Sequence, residues 1–180
     1  MNKLVYYIGQ FLFVMLFQTL VLNDMTINDS ISFLGIPSFI PLLFPVLILL
    51  LPIRVNYYVM MLYALLIGIV LDIFSNTPGM HASSLVLLAF LRPRLLRLFF
   101  QQDEKKLGWA RPTMYRLGFM PFLFYICFSI VIHHLFYFLL QEWSLSNILY
   151  TLYKTIVSGI LSVLMIVIGQ FIFYSRPKFV

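Results

Sequence analysis

Charge is what this chain has least of: 10% of its 180 residues are Asp, Glu, Lys or Arg, and only six are acidic. A soluble domain uses about 25% charged residues to cover its surface, so a water-facing globule is excluded. Cysteine is nearly absent as well. The single Cys127 lies in the apolar run 124–132, which excludes an intramolecular disulfide, a CxxC redox pair and a cysteine-rich zinc site. A free thiol there reads as a small core or lipid-facing residue. There is no low-complexity stretch and no internal repeat of convincing period. Inverted-repeat transport logic therefore has no support beyond one proline-broken run. The longest loop, about 101–117, is too short to form a core of its own.

Apolar residues are abundant, at 62% with 19 Phe and 11 Tyr, and the mean hydropathy is +0.99. Such a composition requires lipid as solvent, so the chain reads as an all-α integral membrane protein. A crossing helix needs about 20 apolar residues. Six runs qualify, within one membrane domain covering 1–180: 4–22, 36–52, 56–74, 78–100, 118–140 and 148–173. The first is expected to be an uncleaved span, because no small-x-small cleavage site follows it. The second is the weakest, because Pro37, Pro41, Pro45 and Pro52 punctuate it. Proline deletes a backbone donor and breaks helices. A broken span is tolerable in lipid only where protein packs around the freed backbone groups.

Lys and Arg alternate between loops in a way that sets orientation. Of twelve cations, all but Lys154 fall on one side, including Lys3, Arg54, Arg92, Arg94, Arg97, Arg116, Arg176 and Lys178. Both termini are therefore expected to be cytoplasmic. A five-span count would split Lys3 from the basic tail. The net charge of +6 calls for no nucleic acid, because a basic edge meets anionic lipid headgroups at about 1 kcal/mol per cation. In "LRPRLLRLFF", Pro93 could kink the fourth span or begin a short interfacial helix. Arg94 and Arg97 would then snorkel together from one face.

Ionisable groups at membrane depth are functional candidates by default. Asp72, His81, His133, His134 and Lys154 all fall toward the extracytoplasmic ends of spans three to six. Asp72 follows Gly68 by four residues, and Gly68 follows Ala64 by four, so a small-small-carboxylate stripe runs along one helix face. A carboxylate at a helix C-terminus opposes the macrodipole. Thr77 as N-cap and Pro78 at the first helical position would start the next helix, whose amides could face Asp72. Gly79 would permit a close backbone approach or a Pro-Gly turn. Three readings of Asp72 stand side by side: a headgroup-level residue ending a span, the structural pivot of a hairpin, and a proton- or ligand-handling acid.

His133 and His134 are adjacent and cannot share a metal ion without distortion. An Asp72–His81–His133 site has no HxxxH or HExxH spacing behind it, so neither metal nor cofactor is expected. The two histidines read as interfacial, and Lys154 as snorkelling outward or pairing with Glu142. Ser158, Gly159 and Ser162 form a packing face, within the bundle or against a partner's helix. No serine nucleophile with its partners and no metalloprotease motif is present, so the chain is not expected to be an enzyme.

The stretch Gly68-Ile-Val-Leu-Asp72, a short loop, Gly79 and "MHA", followed by an apolar helix ending in arginine, resembles the rod shape-determining MreD family in residues 68–92. Length, hydropathy and orientation agree over the whole chain. The resemblance implies a six-helix bundle similar to the substrate-binding component of vitamin (ECF-type) transporters. It also implies a non-enzymatic scaffold of the elongasome in the bacterial inner membrane. Gly68, Asp72 and Gly79 would be the family-motif positions. The implied partners are MreC directly, with RodA, its transpeptidase partner and the MreB filament in functional or indirect association. The competing expectation is a vitamin-binding transporter subunit. Such subunits carry a small-residue stripe on span one, where this chain is bulky with only Gly9 small.

Overall fold

The computed structural model describes residues 3–18, 41–100, 110–143 and 146–173. Their regular secondary structure is all helix, without strands among the described residues: α1 (Lys3–Phe17), α2 (Pro45–Leu49), α3 (Tyr57–Ser75), α4 (Met80–Phe99), α5 (Met114–Leu117), α6 (Phe119–Glu142) and α7 (Ile148–Phe173). Three of them are long and apolar enough to cross a membrane, over Tyr57–Ser75, Phe119–Glu142 and Ile148–Ile172. They coincide with the third, fifth and sixth expected spans. The fourth, α4, has 20 residues, about 30 Å at 1.5 Å per residue. It carries Arg92, Arg94 and Arg97 in its second half. It also runs unbroken through Pro93 to Phe99, so no separate interfacial helix begins there. Of the first expected span, residues 19–22 lie outside the described residues.

The second expected span is corrected over its described part. Residues 41–53 hold only the five-residue α2, about 7.5 Å of helix, which cannot cross a bilayer. Pro45 sits at its start, where a missing N–H costs nothing. Pro52, three residues past its end, has no N–H with which to continue the ladder.

Neighbours pack in the order α3, α4, α6, α7, with α2 wedged against α4 and α6. The inward face of α3 is Met60, Ala64, Ile67, Gly68, Leu71 and Asp72, spaced by three and four as a helix requires. Phe44, Leu47 and Ile48 from the broken segment join it with Val14 of α1 and Leu85 and Ala89 of α4 in one apolar cluster. A second cluster places Phe122, Tyr125, Ile126 and Ile130 of α6 against Leu49, Leu88 and Leu96.

Polarity is inverted relative to a soluble protein. Leu62, Leu66 and Ile73 of α3 and Ile156, Ile160, Leu164 and Ile168 of α7 are exposed, while Thr151, Lys154, Thr155, Ser158, Ser162 and Gln170 of α7 are buried. Bulky aliphatics turned outward from long helices suit a hydrocarbon surrounding, and polar groups are turned inward to the bundle.

Candidate functional site

The Gly68–Asp72 stripe and the 76–79 turn form one unit. Asn76 ends α3 in the left-handed region, at φ 52, and its N–H and that of Thr77 both donate to the Asp72 carbonyl. Thr77, Pro78, Gly79 and Met80 then make a type II turn. Gly79 has φ 80 and ψ 0, and the Met80 N–H donates to the Thr77 carbonyl at 3.4 Å. That third turn position demands positive φ, which glycine adopts without strain.

Helix α4 therefore begins at Met80 with Gly79 as N-cap, later than the Thr77 cap expected from sequence. The Thr77 hydroxyl instead donates to Asp72 Oδ1 at 2.9 Å. The carboxylate itself takes the helix start. His81 N–H donates to Oδ1 at 2.9 Å and Ala82 N–H to Oδ2 at 3.0 Å, while Ser83 N–H returns to the Gly79 carbonyl. All of the first four amides of α4 are thereby satisfied. Asp72 sits at the C-terminal end of its own helix, where its charge is unfavourable. The N-terminus of α4 offsets this with the opposite partial charge.

Gly68 makes that reach feasible. A Cβ placed there would lie 2.2 Å from Ala82 Cα and 2.7 Å from Ala82 N. The residue whose amide meets Asp72 Oδ2 is thus the one pressed against Gly68. Any side chain at 68 would push the α4 amides away from the carboxylate four residues on.

The broken segment draws on a second set of polar side chains, which sequence reasoning did not assign to it. Gln18, at the end of α1, donates from Nε2 to the Pro41 carbonyl at 2.8 Å and accepts the Leu43 N–H on Oε1 at 2.9 Å. The Leu42 N–H donates to His134 Nε2 at 3.4 Å. Arg92 donates to the Leu49 carbonyl from Nε and to the Leu51 carbonyl from Nη2. Tyr125 adds its hydroxyl to the Leu49 carbonyl at 3.1 Å, and Ile53 N–H reaches the Ala110 carbonyl at 3.0 Å. With 1% of its surface exposed, Arg92 is the largest fully buried side chain among the described residues. The basic-edge reading had grouped it with surface cations. Its spacing with Leu85, Leu88 and Ala89 on the inward face of α4 is the signal that marks it as interior.

His133 and His134 are corrected from interfacial to interior, both fully buried, and His81 is buried as well, at 2% exposed. His134 Nδ1 lies 3.0 Å from the Ile130 carbonyl, and its Nε2 lies 3.2 Å from Ser162 Oγ. An Nδ1–H tautomer satisfies these contacts and the Leu42 amide together. His81 and His133 flank Tyr137, at ring-centroid distances of 4.7 and 6.5 Å. Among the described residues, no hydrogen-bond partner meets either ring nitrogen of His133, His81 Nδ1, Ser129 Oγ or Thr155 Oγ1.

Lys154 turns inward rather than snorkelling. It donates to Gln141 Oε1 at 2.9 Å and lies 4.7 Å above the Phe138 ring. Ser158, Gly159 and Ser162 are buried within the bundle. A Cβ on Gly159 would be 3.7 Å from Ile130 of α6, and Ser162 is the hydroxyl that meets His134. That small-residue face is therefore occupied by α6. Asp72 and His81 meet through the His81 main-chain amide, and no group of three His, Cys, Asp or Glu among the described residues is placed to hold a metal ion.

The chain matches no family model, no curated protein and no solved structure.

Proposed function

We propose that the protein is a non-enzymatic membrane scaffold of the MreD type, in the bacterial inner membrane with both termini cytoplasmic. In this reading it joins MreC within the machinery of lateral peptidoglycan synthesis, with RodA, its transpeptidase partner and MreB further out. The observation that carries the reading is the commitment of Asp72. Both carboxylate oxygens are taken by the α4 amides and Thr77, so the G-x-x-x-D motif builds a hairpin and its aspartate is engaged in structure rather than poised to move a proton. The outward faces of α3 and α7 remain broad and apolar, which suits contact with lipid or with a single-span partner helix.

Depletion in a rod-shaped host should cause rounding and lysis, and purification in mild detergent should retrieve an MreC-like protein. Normal cell shape without the protein would sink the reading.

A second reading, a substrate-binding subunit of a vitamin transporter, is favoured by one feature. The unpartnered polar atoms of His133, Ser129 and Thr155 are buried, and buried polar groups normally have partners. Retrieval of a small polar molecule with the purified protein, lost on His133→Phe, would support it. Purification free of any such molecule would remove it.

A further inference from the structure

At the end of the α3–α4 pair opposite the Asp72 hairpin, a pocket of about 580 Å³ is lined by Arg54, Arg92, Arg94 and Arg97. Its remaining wall is largely apolar, including Met60, Phe90 and Leu96, and no carboxylate of the described residues contributes to it. The two acids among the described residues lie elsewhere. Asp72 is about 22 Å along α3 from Tyr57 at 1.5 Å per residue, and Glu142 closes α6. A concave site lined by charge of one sign concentrates its field on a counter-ion.

The four guanidiniums are held differently. Arg92 forms the floor, buried and tied to the Leu49 and Leu51 carbonyls, which accept its hydrogen bonds but carry no negative charge to neutralise it. Arg94, on the exposed rim, is steered by the Phe90 ring, 4.5 Å from its Cζ. Arg97 donates Nε to the Pro93 carbonyl at 3.3 Å. Arg54 faces them, exposed, from the segment joining α2 to α3.

We propose that this pocket binds a phosphate group. Guanidinium forks pair with phosphate oxygens in two parallel hydrogen bonds. A tetrahedral anion between Arg54 and Arg94 would relieve their mutual repulsion, and the apolar wall would take the carbon portion of the same molecule. A pocket at the start of α3 and the end of α4 lies where a spanning helix meets the headgroup layer. The phosphate can therefore come from an anionic lipid or from a soluble phosphate. This assignment does not depend on the scaffold reading, because its test is binding by the isolated protein and not cell shape.

The test uses the full chain, purified and stripped of lipid in neutral detergent. Binding of phosphatidylglycerol, phosphatidylcholine and inorganic pyrophosphate is followed by native mass spectrometry and thermal shift. Phosphatidylglycerol should bind saturably and more tightly than phosphatidylcholine, whose choline cancels the phosphate charge. Arg54→Gln with Arg94→Gln should weaken it about tenfold or more, and the corresponding lysine pair should fall between, since lysine keeps the charge without the fork. Arg116→Gln removes the same charge from an exposed site outside the pocket and should change affinity less than about twofold. Displacement of the lipid by pyrophosphate would identify a soluble phosphate as able to take the site. Retention would identify the headgroup. Equal binding of the two lipids, or an Arg116→Gln loss as large as that of the double variant, would overturn the proposal. The exposed positions of Arg54 and Arg94 keep the variants folded, and matching melting temperatures verify this. Should the glutamine pair melt early, the lysine pair decides alone, and unchanged affinity there refutes the forked contact.

Discussion

Asp72 and Arg92 lie near opposite ends of the α3–α4 pair and serve opposite halves of the peptide group. The carboxylate collects two amides from a helix start, within ten residues of itself. The guanidinium collects two carbonyls from a helix stop, more than forty residues away. Buried inside the bundle, neither set of backbone groups can turn to water, so each charge replaces solvent for a place where the helical ladder is interrupted. Buried ionisable residues invite a catalytic or transport role, and here the Asp72 carboxylate is taken up by backbone amides and Thr77, while the Arg92 guanidinium is anchored on backbone carbonyls.

The comparison breaks most visibly at Arg92. Arg92→Ala should destabilise by roughly 3–5 kcal/mol, since it strands the Leu51 carbonyl, leaves the Leu49 carbonyl to Tyr125 alone and opens a space the size of the side chain. Thermal unfolding in detergent measures it, and a melting temperature equal to wild type would show that the broken segment has other support. Asp72→Ala should cost less, roughly 2–4 kcal/mol, because two amides lose their acceptor but the turn retains its own hydrogen bonds. Asp72→Asn should cost about half as much, since one oxygen remains to accept. If the scaffold reading holds, MreC retrieval should fall in the same order, alanine below asparagine.

Gly68→Ala sharpens the hairpin half of the comparison. Helix α4 must withdraw from the new Cβ, at a cost of about 1–3 kcal/mol, and that withdrawal also lengthens the Asp72 bonds. A double-mutant cycle of Gly68→Ala with Asp72→Asn should therefore be non-additive. Additive effects would mean that glycine and aspartate act separately. The smallest effect belongs to Tyr125→Phe, about 0.5–1.5 kcal/mol, because Arg92 still donates to the Leu49 carbonyl.

Legibility in the sequence follows contact range. The α3–α4 hairpin could be read because its parts are adjacent: a four-residue spacing sets Gly68 and Asp72 on one face, and Thr-Pro-Gly announces a turn. Even there the helix start was misplaced, because the group that caps α4 belongs to the preceding helix and not to the residue before it. The spacing of Arg92 on α4 marks its inward face, but the partners of His134, Lys154 and Arg92 were not legible. Their partners are a Leu42 amide, a Gln141 amide oxygen and the carbonyls of Leu49 and Leu51, each brought close only by packing. A histidine between apolar neighbours has the same local sequence whether it turns to headgroups or to the bundle axis.

By itself the sequence determined the all-helical class, three of its six expected spans as helices long and apolar enough to cross a membrane, and the weakness of the proline-rich run. These follow from composition and from spacing within one helix, which neighbouring residues decide. Only the tertiary structure decided what becomes of the broken run, and which buried polar groups cap backbone while others stay unpartnered. Those outcomes depend on which distant side chain lies within hydrogen-bond reach of an orphaned amide or carbonyl, and packing of the whole bundle sets that distance.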